Sequence, residues 1–205
     1  MKTTLMNTEM TKAILDGHKV QTRRVITNKL MCNADTCKSD SNYVYVEDAY
    51  GDSHHILEFA KYKKGDILWV REPATVWALT NNRDLHFSYK ADGVSMTKPL
   101  PDRFYDENNN TPKWTDGNEN GRGIPNGCIK EMARIFLRVT NVRVERLQDI
   151  TYEDILREGY KYTDKEYNAF DWWINLWNKT APKEYKWKDN PYVFVYEFEK
   201  AENGE

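Results

Sequence analysis

Hydrophobic positions along this chain change their spacing several times, and each change marks an element. Met10, Ala13, Ile14 and Gly17 recur at i, i+3, i+4 and i+7, the spacing of one helical face. Thr8 is an N-cap type of residue and Gly17 a C′ type, so a short helix is expected over about 9–16. Lys19 to Ile26 then reads as extended, with Val20, Thr22 and Val25 at β-branched positions. Tyr43–Glu47 and Ile56–Phe59 read as two strands of a hairpin about Gly51-Asp52. Ile67–Glu72 follows a Gly65-Asp66 turn as a buried strand, and Pro73 ends or bends it. His86 to Ala91 alternates and is a further strand.

The second half repeats this grammar at greater length. Residues 92–127 carry four prolines, five glycines and an Asn108-Asn109-Asn110 run, which is the composition of a long irregular excursion. Ile135, Leu137 and Val139 share one face of a long strand, and Val142 and Val144 continue in the opposite phase. The slip at Thr140-Asn141 suggests a bulge or bend. Thr151 and Asp154 form a capping-box pattern before a helix of about 152–158 closed by Gly159. A longer helix is expected from a cap at Asp164 to about Trp177, with Tyr167, Phe170, Ile174 and Trp177 as its core stripe. Pro191 opens a last strand, Tyr192 to Phe198, apolar on both faces and therefore central. The order of elements predicts an α+β fold on a strongly bent or closed mixed sheet. It is read as a single domain, 1–205, with an inserted hairpin at about 28–62 and the long loop at about 92–127.

Composition narrows the functional classes. The 205 residues carry a net charge of -2, which argues against a protein coated in basic surface that binds nucleic acid indiscriminately, though not against a local basic groove. A mean hydropathy of -0.84 and the lack of an apolar run of membrane-spanning length predict a soluble chain. The N-terminal MKTTLMNTEMTK lacks the apolar core of a secretory signal, so a cytoplasmic location and no membrane partner are expected. Cys32, Cys37 and Cys128 are too few and too unevenly spaced for a disulfide framework. Cys32 and Cys37 with His54 and His55 do not form a recognised zinc spacing, so free thiols, no metal and no cofactor are expected.

Candidate chemistry centres on AILDGHKVQTRR, residues 13–24. Lys19, Thr22, Arg23 and Arg24 follow the helix-closing glycine within seven residues of it. In a regular strand Thr22 and Arg24 share a face and Lys19 points oppositely; if the chain is still turning, Lys19 swings to their side. A partly buried lysine can act as a base, a threonine hydroxyl can attack or hold water, and an arginine can hold phosphate or carbonyl oxygen. The alternative is a basic turn leading into an ordinary edge strand. Glu158 ends its helix, where the dipole disfavours negative charge and favours proton uptake, which suits a general acid or base. A solvated surface glutamate is the other reading. Arg71 and Glu72 can line the same cavity or pair with each other, and Lys130, Glu131 and Arg134 flank the long strand; for each of these, solvated pairing is the simpler reading.

These segments in this order resemble the ASCH domain family of the PUA-like superfamily, and more narrowly a group of phage and prophage proteins with an ASCH-like fold. The resemblance rests on residues 13–24, Gly65–Glu72, Ala133–Ile135, Val142–Ile150, Glu158-Gly159 and Val193–Phe198. It implies a PUA-like barrel of mixed strands with flanking helices, and binding of RNA, nucleosides or nucleotides in a cleft. The inserts at about 28–62 and 92–127 fall outside the minimal family pattern. A bacterial branch of the family hydrolyses the acetyl amide of N4-acetylcytidine, and its functional residues match Lys19, Thr22 and Glu158 here. The resemblance thus implies these three as catalytic residues without a metal, with Arg23, Arg24, Arg71 and Glu72 as ligand-binding candidates. Two alternatives stay open: a non-catalytic nucleic-acid-binding module of phage origin, and a phage structural or assembly protein with a degenerate cleft.

Overall fold

The structure is a computed structural model that describes residues 1–27, 39–40, 43–47, 52–80, 83–104, 128–161 and 168–202. It is a mixed α+β chain, mostly strands with few helices, and among the described residues no closed barrel is found. No helix among them is long and apolar enough to cross a membrane. The chain divides into two compact units. One comprises residues 1–15, 68–137 and 201–205, and the other 16–67 and 138–200.

In the first unit, β1 (Lys2–Leu5) pairs in parallel with β6 (Ile67–Arg71), Thr4 opposite Val70. The short helix α1 (Thr8–Leu15) buries Thr11, Ala13 and Ile14. Its cap is Asn7, whose Oδ1 accepts from the Met10 amide at 2.8 Å, one residue ahead of the expected Thr8. A separate antiparallel sheet has the order β7 (Ala74–Leu79), β8 (Asp84–Tyr89), β9 (Ser95–Pro99). The sequence pattern shows β8 but hides its two partners: Ala74–Leu79 follows a proline, and Ser95–Pro99 lies in what reads as loop. The inward face of β8 is strictly alternating. Leu85, Phe87 and Tyr89 are buried and pack with Ala74, Leu100, Cys128 and Met132.

In the second unit, β11 (Tyr192–Lys200) lies between β10 (Phe136–Arg146) and β2 (Gln21–Val25), as its double-sided apolar pattern predicts. β11 and β2 run antiparallel with Val195 opposite Arg23 and Tyr196 opposite Thr22. Alternation sends Val193, Val195 and Glu197 to one face and Phe194, Tyr196 and Phe198 to the other. On the latter face Tyr196 meets Tyr62 edge-on at 4.9 Å. Burial raises the Tyr196 hydroxyl's pKa to about 12 despite the amides of Lys61 and Tyr62 that hydrogen-bond it. On the former face a core forms from Val193, Val195, Leu147, Ile155, Trp173 and Trp177.

Two helices close this core. α2 (Tyr152–Arg157) begins with the expected capping box: Thr151 accepts from the Asp154 amide, and Asp154 accepts from the Thr151 amide. Gly159 follows with φ of 105°, a left-handed value that favours glycine. α3 (Ala169–Thr180) starts later than expected, capped by Asn168 rather than Asp164, and residues 162–167 lie outside the described residues. Its buried positions are Ala169, Trp173 and Trp177, at i, i+4 and i+8, so the core stripe is rotated from the Phe170–Ile174 line read in the sequence.

The hairpin is also shifted. β3 (Ser39–Asp40) and β4 (Tyr43–Glu47) pair with each other, and β4 pairs with β5 (Ser53–His55). Ile56–Phe59, expected as a strand, is a 3-10 turn held by the His55 side chain on the Leu57 amide. Gly51, Cys32 and Cys37 lie outside the described residues, as does most of the 92–127 loop beyond Phe104.

Candidate functional site: a buried ion-pair array in the second unit

Gly17, with φ of 78°, turns the chain toward β2, and Lys19 then bridges to Glu158. The backbone does half the positioning: the Val20 amide donates to the Arg157 carbonyl at 2.9 Å, and the Phe198 amide to the Val20 carbonyl at 2.9 Å. The Lys19 side chain completes it. Its Nζ donates to Glu158 Oε2 at 2.6 Å, to the Glu158 carbonyl at 3.0 Å and to the Gln21 carbonyl at 2.7 Å. An ammonium has three protons, so these three acceptors satisfy it.

Lys19 and Glu158 are each 2% exposed. A buried pair of this kind persists only if both charges keep their partners. Glu158 is also held by Arg23, whose Nη1 reaches Oε1 at 3.2 Å. Arg23 Nη2 reaches Glu145 at 2.9 Å and Asp154 at 3.2 Å. Arg143 then links Glu145, Asp154 and Glu197, and Arg157 reaches Glu197 at 3.0 Å. Four cations (Lys19, Arg23, Arg143, Arg157) thus face four carboxylates (Glu145, Asp154, Glu158, Glu197), and the array is charge-balanced.

Burial lowers the proton affinity of Lys19 below its ordinary value of 10.5. Glu158 works the other way, through its charge and its hydrogen bond, while Arg24 and Arg23 add repulsion. For Asp154, burial raises the pKa, but the Thr151 amide, the Arg23 charge and Gln21 outweigh it and hold the carboxyl below 3.8.

The expected site residues separate into three groups. Lys19, Arg23 and Glu158 converge. Thr22 is equally buried, but strand alternation puts it and Arg24 on the opposite face of β2 from Gln21 and Arg23, the Tyr196 face. This is the regular-strand case, with Lys19 pointing away from Thr22. Arg71 and Glu72 belong to the first unit. There Glu72, 0% exposed, is gripped by Arg134 through Nε at 2.8 Å and Nη2 at 2.9 Å, so its partner is not Arg71 and the pair is not solvated. Arg134 in turn lies 3.7 Å from the centre of the Tyr89 ring and binds Asp92 at 2.7 Å.

Sequence reading missed Glu145, Asp154, Arg143, Arg157 and Glu197 as members of the array, and Trp173 beside it. A usable signal was present for two of them. Arg143 and Glu145 alternate on the same strand face, a spacing that places both side chains on one side. Among the described residues no group of three or more His, Cys, Asp or Glu side chains is placed to hold a metal ion. Compared with family models, with curated proteins and with solved structures, the chain matches none.

Proposed function

We propose that the second unit binds RNA or a modified nucleoside at the Lys19–Arg23–Glu158 array, in a domain of PUA-like, ASCH type. The observation that carries this reading is the convergence of Lys19 and Glu158, 139 residues apart in sequence, at 2.6 Å in a buried setting. These are two of the three functional positions that the resemblance to nucleoside-processing ASCH proteins implies. A saturated ammonium beside a charge-balanced array suits recognition and support better than proton abstraction. The first reading is therefore a binding module.

One observation favours a second reading, metal-independent hydrolysis of an acyl amide such as that of N4-acetylcytidine. Burial makes Lys19 easier to deprotonate than a surface lysine, and a neutral Lys19 amine could act as base toward a water. Glu158, once protonated, would deliver the proton to the leaving amine. Thr22 would need to serve from the other face of β2, where a hydroxyl supports the strand rather than the reacting carbonyl.

One experiment separates the two. The protein is incubated with N4-acetylcytidine and acetate release is followed, with Lys19→Ala and Glu158→Gln as controls. Salt-dependent RNA retention or nucleoside binding without turnover supports the module. Turnover lost in both variants supports the hydrolase, and absence of binding as well as turnover rejects both.

A further inference from the structure

Three buried side-chain donors in the array lack acceptors by direct geometry: Arg23 Nε, Trp173 Nε1 and Gln21 Nε2. Gln21 is close enough to Asp154 to stabilise its charge, which leaves Arg23 and Trp173 as the orphaned pair. Both residues are at most 3% exposed. They are also neighbours, the Arg23 Cζ lying 5.9 Å from the centre of the Trp173 ring. A buried N–H without an acceptor is costly, and folded proteins rarely leave two side by side. Both terminal nitrogens of the Arg23 fork face carboxylates, whereas Nε has no acceptor.

We infer that Arg23 and Trp173 form a subsite for a neutral ligand group bearing carbonyl acceptors, such as a nucleobase face or an acyl amide; this rests on the nucleoside-binding reading above. Both orphaned groups are donors, so the complement is an acceptor. Charge selects which acceptor. Four cations already face four carboxylates, and a phosphate brought to the buried Arg23 would arrive without a counter-charge. A neutral carbonyl adds hydrogen bonding and no charge. The Trp173 ring adds an apolar surface.

The test follows the Trp173 indole N–H by NMR, assigned through Trp173→Phe, while the full chain is titrated with cytidine, N4-acetylcytidine or inorganic phosphate. A nucleoside should move the Trp173 indole resonance, with an affinity independent of salt, and phosphate should not. Trp173→Phe keeps the ring stack and removes one donor, so it should weaken nucleoside binding about five- to tenfold with the melting temperature little changed. If the parent binds nucleoside while its Trp173 resonance stays still and Trp173→Phe binds equally well, the subsite is wrong and the binding reading survives; the orphaned groups then hold buried water only. If phosphate moves the resonance and nucleoside does not, the neutral-ligand assignment falls. If the parent binds no nucleoside by any signal, both the subsite and the reading beneath it fall.

Discussion

Lys19 and Glu158 are joined twice, by a 2.6 Å ion pair between side chains and by the Lys19 Nζ on the Glu158 carbonyl at 3.0 Å. The second bond explains why a carboxylate can sit at the end of α2 at all. The carbonyl end of a helix disfavours negative charge by about 0.3–1 kcal/mol. Here the same ammonium satisfies both the carboxylate and the end carbonyl, and Arg23 adds a second cation.

Breaking that pair should be costly. Among the described residues, Lys19→Ala leaves the buried Glu158 with Arg23 as its cation, and Glu158→Ala leaves the buried Lys19 with two carbonyls. Each should lower stability by about 3–5 kcal/mol, read from urea midpoints. The double variant Lys19→Ala/Glu158→Ala should cost clearly less than the sum of the singles. Additive losses would show that the two charges are not coupled.

The helix cap should matter to the site as well as to the helix. Thr151→Ala removes the acceptor for the Asp154 amide and should cost about 1 kcal/mol. Asp154 and Glu158 are carried on the helix it starts, so under the proposed nucleoside-binding function the affinity should fall with it. Thr151→Ser should restore both quantities, measured by thermal melting and by titration.

Acid should unfold the protein through Asp154 and Asp92. In Asp92 the Arg134 hydrogen bond is the main cause of a pKa held below 3.8, and in Asp154 the Thr151 amide and Arg23 overcome burial. Between those lowered values and 3.8 the folded chain binds fewer protons than the unfolded one. Stability is therefore full above pH 3.8 and falls as pH drops through the folded values. Asp154→Asn should flatten the acid limb of stability against pH. An unchanged slope would mean that Asp154 titrates alike in both states.

In the first unit, Glu72→Ala leaves Arg134 half-buried with Asp92 as its remaining carboxylate partner among the described residues. A loss of about 3 kcal/mol or more is expected. Glu72→Gln, which keeps one acceptor for Arg134, should lose less. Hydrogen exchange at the Tyr89 and Lys90 amides would report whether the loss is local to this sheet.

What the sequence made legible was local. The Thr151–Asp154 box, the Gly159 stop and the central strand at Tyr192–Phe198 are written within a few consecutive residues, and each occurs as read. β7 and β9 were not legible, because Ala74–Leu79 follows a proline and Ser95–Pro99 has neither alternation nor β-branched residues beyond Thr97. Both are strands because β8 offers them hydrogen bonds, which no local pattern records. The site divides the same way. Lys19 and Glu158 stand out at helix ends, whereas Glu145, Arg143 and Trp173 enter only through tertiary pairing. For Thr22 the rule of alternation was available from the start, and the regular strand decides it.

β2 and β11 pair residues 21–25 with residues 193–197. The array in between draws on residue 19 near one end of the chain and on residues 143–158 and 197 toward the other. On the ribosome, Lys19 and Arg23 therefore emerge long before the carboxylates that neutralise them here, and β2 long before β11, its strand partner among the described residues. The array is therefore complete only once residue 197 has been made, and a chain stopped before it carries Lys19 and Arg23 without their full set of carboxylates.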